Sequence, residues 1–132
     1  MATLLAHFGT GTASQAAQTA TGNGTSVTCS GALRVLVGLR GSNATAFTAG
    51  AVAVEESVDD GTTWTAVADA VPLNTADGGA AAANPFTLPV GSNPTDTWLV
   101  FPHRDGQHRV RCRISTTITG GSLNAYVYPI GL

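Results

Sequence analysis

Arg109, Arg111 and Arg113 stand at alternate positions and form the most regular charged feature of the chain. On a β-strand they place three guanidinium groups about 6–7 Å apart along one face. Arg104 and His108 are close in sequence. Such a comb has three uses: contacts to phosphates, docking on an acidic surface, or pairing with carboxylates across the sheet. The other residues with chemical potential are less well organised. Glu55 and Glu56 are neighbours on an expected strand, so they point to opposite faces and cannot share a substrate. Asp59 and Asp60 offer oxygen ligands, but one turn supplies too few for calcium. His7, His103 and His108 belong to no catalytic or metal-binding pattern. Gly9-Thr10-Gly11 lacks the lysine of a phosphate-binding loop. Hydrolysis would need paired carboxylates or a Ser/His/Asp set, and neither stands out. The expectation is a protein that is not an enzyme and needs no cofactor or metal.

Composition narrows the class. Of 132 residues, 11% are charged, with no lysine, six arginines and a net charge of −2, against about 25% charged in an average domain. A surface this poor in charge favours association. The chain is acidic overall and the comb lacks interleaved aromatics, which argues against nucleic acid. No stretch reaches the roughly 18–20 apolar residues of a membrane span. Met1–Phe8 lacks the basic start and the length of a secretory signal, so synthesis in a cytoplasm is expected. Cys29 and Cys112 are far apart and follow no metal or C-x-x-C spacing. They could pair; two buried, reduced thiols are the reading carried forward.

The elements that position these residues centre on Ser57-Val58-Asp59-Asp60-Gly61-Thr62-Thr63-Trp64. Apolar runs on either side of Asp-Asp-Gly predict a β-hairpin. Gly61 suits a left-handed turn position, and Asp59 and Asp60 tolerate one. The side chains of Ser57, Asp59 and Asp60 can accept hydrogen bonds from turn N–H groups. Trp64 can fold back over the turn or into the core, and both tryptophans are expected to be core. The eight residues match the S-x-D-x-G-x-T-W pattern and so resemble the Asp-box hairpin, a structural repeat of sialidase-like propellers. A second copy is not seen, and 132 residues hold too few blades of about 40–50 residues for a propeller. The resemblance implies a structural hairpin at Ser57, Asp59, Gly61 and Trp64 and no active site.

Around the hairpin the alternation predicts strands at 25–30, 32–40, 44–47, 51–58, 62–71, 86–90, 97–101, 108–119 and 123–130. Leu33, Val35, Val37 and Leu39 share one face. Val52, Val54 and Val58 face the core, and Glu56 breaks their pattern, predicting a bulge or an interface salt bridge near it. Val110, Cys112, Ile114 and Ile118 face inward, opposite the arginines. Residues 74–85 read as a long loop. The expected fold is all-β: an antiparallel β-sandwich over residues 25–132, with a jelly roll as one form of it. Residues 1–24 contain no Asp, Glu, Lys or Arg and show no strong periodicity. They are expected to form an irregular arm whose Leu4, Leu5 and Phe8 insert between neighbouring subunits.

The hairpin, the lysine-free low-charge β-sequence and the Gly/Thr/Ala-rich start together resemble small virion proteins of tailed bacteriophages. Within that group, size and expected sandwich are similar to capsid decoration or cement proteins. The resemblance implies a homo-oligomer, dimer or trimer, on the capsid exterior. Its implied partners are the major capsid protein and copies of itself, with no nucleic acid and no membrane. Arg109, Arg111, Arg113, Leu4, Leu5 and Phe8 are the candidate interface. A neck, tail or head-fibre component and a carbohydrate-binding sandwich module are the alternatives.

Overall fold

The structure is a computed structural model that describes residues 11–41, 47–72, 81–88 and 97–131. These residues form β1 (Thr12–Gln18), β2 (Gly22–Asn23), β3 (Val27–Thr28), β4 (Arg34–Gly41), β5 (Ala49–Ser57) and β6 (Thr65–Ala66). Then follow β7 (Val71–Pro72), β8 (Phe86–Thr87), β9 (Thr97–Pro102), β10 (Arg109–Thr119) and β11 (Leu123–Ile130). No helix forms among them. Sheet A has the order β1-β11-β4-β9-β7, and sheet B the order β2-β10-β5-β6, with β3 also on β10 and β8 also on β5. Every named strand pair is antiparallel. The all-β expectation holds, and the sandwich or jelly roll fits this two-sheet arrangement.

The alternation read in the sequence builds the core between the sheets. Val35, Val37 and Leu39 of β4, Leu99 and Phe101 of β9, and Leu123, Ala125 and Val127 of β11 come from sheet A. Val52 and Val54 of β5 and Val110, Cys112, Ile114 and Ile118 of β10 meet them from sheet B. Each Val, Leu, Ile or Phe among them contributes roughly 1.5–3 kcal/mol when fully buried. Two expected members are absent. Leu33 precedes β4 and is 67% exposed, and Val58 follows the end of β5 and is 50% exposed. Alternation ceases to report facing once the strand ends.

The even-numbered side chains of β4 project from the other side of sheet A. There Leu36 is 1% exposed, Trp98 3% and Tyr128 4%, with Val100, Tyr126 and Ile130 packed against them. The Trp98 and Tyr128 ring centroids are 5.6 Å apart and tilted. Trp98 is therefore buried as expected, but outside the inter-sheet core.

Several boundaries differ from expectation. Residues 62–71 do not form one strand: β6 belongs to sheet B and β7 to sheet A, so 67–70 carries the chain between layers. The strand expected at 44–47 and most of the loop at 74–85 fall largely outside the described residues. The irregular arm is corrected over residues 12–23. Here β1 pairs with β11 and β2 with β10. Ser14 and Gln15 are buried and join the two sheets at this edge. Ser14 Oγ accepts from Cys112 N (2.8 Å) and donates to Thr25 O (2.7 Å). Gln15 Nε2 donates to Cys112 O (2.9 Å) and Gly22 O (3.3 Å). Gly24 N also donates to Cys112 O, and a Cβ on Gly24 would lie 2.3 Å from Ser14 O. Polar side chains hold this edge strand where apolar periodicity would otherwise have announced it.

Gln15→Ala should lower unfolding free energy by about 0.5–1.5 kcal/mol, because Cys112 O loses one of its two donors and keeps Gly24 N, while Gly22 O loses a longer, part-buried bond. Urea denaturation measures it. Deleting residues 12–24 should abolish cooperative unfolding, the opposite of what a dispensable arm would give.

Candidate functional site

The Ser57–Trp64 turn is closed by its own side chains. Ser57 Oγ donates to Asp59 Oδ1 (2.6 Å) and accepts from Gly61 N (2.8 Å). Asp59 Oδ1 also accepts from Thr63 N (2.8 Å). Asp60 and Gly61 carry the left-handed φ values, 59° and 91°, that the turn requires. Trp64 folds back, its Nε1 donating to Gly61 O at 3.0 Å. It is only partly buried and takes no part in the core between the sheets, which corrects the expectation of a core indole. The turn also docks on the loop before β10: Gln107 N donates to Val58 O and Asp60 N to Gln107 O. The bonds to Ser57, then Thr63, hold the Asp59 carboxyl down at about 2, below the usual range.

The arginine comb lies on the outer face of sheet B, opposite the core residues of β10. Each member has a carboxylate partner in the same chain. Arg109 Nε meets Asp60 Oδ1 at 2.7 Å, Arg111 Nε meets Glu55 Oε1 at 2.9 Å, and Arg113 Nε meets Glu55 Oε2 at 3.1 Å. Register makes this possible, since Arg111 stands opposite Glu55 in the β5–β10 ladder. The Arg111 guanidinium also covers the Trp64 ring, with Cζ 4.1 Å from its centroid. Hairpin and comb are thus one assembly: Glu55 clamps two arginines, and one of these stacks on the tryptophan. Of the three uses of the comb, cross-strand pairing within the chain is the one this geometry realises. Glu55 and Asp60 of the same chain supply the carboxylates.

A second polar cluster escaped the sequence reading. Glu56 and His108 occupy inward positions at one end of β5 and β10, 8% and 0% exposed. The Arg104 N–H points at His108 Nδ1 (3.3 Å), so Nε2 carries the proton and donates to Glu56 Oε1 at 2.9 Å. Arg104 Nε lies 3.2 Å from the same carboxylate, and its Nη2 bonds Asp69. The break in alternation at Glu56 is therefore an internal salt bridge at the edge of the core.

Cys29 and Cys112 are free and buried, and burial pushes both thiols up to about 12. No group of three metal-ligating side chains occurs among the described residues. Leu4, Leu5 and Phe8 lie outside the described residues. No protein-family model, curated protein or solved structure matches this chain.

Trp64→Ala should cost about 1–2 kcal/mol, the sum of one hydrogen bond and one cation–π contact. That falls well short of the roughly 3–5 kcal/mol of a core aromatic. Chemical denaturation separates the two figures. The depressed Asp59 carboxyl stabilises the fold above its unfolded value of about 3.9, and this is lost as pH falls through about 2. Asp59→Asn should therefore lose less stability than the parent between about pH 4 and about pH 2. Urea midpoints at the two ends of that window measure the difference.

Proposed function

We propose that this chain is a non-enzymatic structural protein of a tailed-phage particle. On this reading it decorates the capsid exterior as a cement protein, after synthesis in the host cytoplasm. The observation that carries the proposal is the use made of the charged side chains. Glu55 and Asp60 pair with the three comb arginines, and Glu56 and Asp69 pair with Arg104 at the core edge, where His108 also bonds Glu56. Side chains of the kind that do chemistry are here engaged in fastening strands and turns together. Many of the other exposed positions among the described residues carry small polar or apolar side chains, suited to broad, weak contact. Many copies on a lattice convert such contacts into strong retention through avidity.

This reading keeps the major capsid protein and further copies of the chain as partners. It moves the contact away from the comb, whose arginines are paired within the chain. The carbohydrate-module reading needs an open aromatic platform, whereas Trp98 is buried and Trp64 lies beneath Arg111.

Quantitative mass spectrometry of purified particles tests the proposal. A copy number comparable to that of the major capsid protein is expected. A number far below it points to the neck, tail or head fibre, and absence from particles overturns the virion reading.

A further inference from the structure

The joint between β1 and β2 leaves a cleft of about 430 Å³ at the edge of the sandwich, inside the roughly 300–1,000 Å³ range of small-ligand sites. Residues between Ala13 and Thr25 line it, and none of the lining side chains is charged or aromatic. Gln15 is a buried member, 6% exposed. Its carboxamide can stand only one way round. The terminal nitrogen, Nε2, lies against two carbonyl oxygens, Cys112 O at 2.9 Å and Gly22 O at 3.3 Å. Only a donor fits there, and both its hydrogens are used. Oε1 is turned the other way. No donor among the described residues meets it, and it is not sealed inside the protein. An acceptor with idle lone pairs is thus fixed in the cleft by the same bonds that close the edge. Thr21 and Asn23, both exposed, add a hydroxyl and a second carboxamide to the lining.

We propose that this cleft binds a neutral carbohydrate unit, one sugar hydroxyl donating to Gln15 Oε1 and others exchanging hydrogen bonds with Thr21 and Asn23. The lining selects this class. A phosphate or an ammonium group would lose water here and meet no countercharge. An apolar ligand would cover carboxamides and hydroxyls without replacing their hydrogen bonds. An added peptide strand needs unpaired main-chain groups, and the carbonyls here are largely taken. Ser14 O accepts from Thr25 N, Thr25 O from Ser14 Oγ, Gly22 O from Gln15 Nε2 and Ala16 O from Gln18 Nε2. Sugar hydroxyls both donate and accept, which suits an array of carboxamides and hydroxyls. The cleft offers no ring for a sugar to stack on, so a single copy binds weakly, and copies displayed together bind through avidity. The site is thus distinct from an aromatic platform, and it stands independently of any role on a virion.

NMR titration of the isotope-labelled full-length chain with methyl α-glucoside, methyl α-galactoside and N-acetylglucosamine, up to tens of millimolar, tests the proposal. The expected result with at least one sugar is a saturable shift of the Gln15 side-chain amide and of the backbone amides from Thr21 to Gly24. In the double variant Thr21→Val, Asn23→Ala the affinity for that sugar should fall about tenfold, the loss of two modest hydrogen bonds. Its urea midpoint should stay close to that of the parent, since both side chains are exposed. Absence of a saturable shift with all three sugars would overturn the proposal. So would affinity unchanged in the double variant, which would put the sugar elsewhere. Equal shifts from trialanine or inorganic phosphate would also overturn it, because the cleft would then lack the stated selectivity.

Discussion

The register between β5 and β10 is the constraint on which the rest of the molecule depends. The ladder runs from Arg109 opposite Ser57 to Thr119 opposite Ala49. In one setting it puts Val52, Val54, Cys112 and Ile114 into the core and Glu55 opposite Arg111 on the outside. It also brings Glu56 beside His108 and the turn beside the Gln107 loop. A slip by one residue would reverse every facing at once, exposing valines and burying arginines. The ion pairs alone are worth little at a surface. Their value lies in agreeing with the core about a single alignment.

The sparse charge of the chain gains meaning from this geometry. With few ionisable groups, most of the acids described here meet a basic partner in the same chain, and Glu55 serves two. Asp59 is bound by a hydroxyl and a backbone N–H instead.

Much of this was legible from residue spacing. Alternation gave the inward faces of β4, β5 and β10, and Asp-Asp-Gly gave the turn with its left-handed residues. The comb's outward direction followed from its spacing, but its partners did not, because cross-strand register is set by tertiary pairing. Glu56 and His108 were readable as polar interruptions of two inward-facing apolar series. What hid their relation was the distance of 52 residues between them. β1 was missed for a different reason. Its buried residues are Ser14 and Gln15, and its pairing with β11 carries register shifts around Gln15. A bulged edge strand held by hydrogen bonds leaves no apolar period to detect. Trp64 was misjudged because a large aromatic near a turn can satisfy itself locally, through Gly61 O and Arg111.

The edge closed by Ser14 and Gln15 bears on how the chain is made. Their bonds to Cys112 join positions 98 and 97 residues apart, and β1 lies against β11 at the far end of the sequence. A nascent chain emerging from the ribosome holds β1 long before its partners exist. That strand must wait, unpaired, while the 97 positions that separate Gln15 from Cys112 are made. Non-local closure of this kind is slow, and it leaves an edge open to strangers in the interval. Small polar residues and a bulge suit such a wait, since they keep β1 soluble and a poor template until β11 arrives.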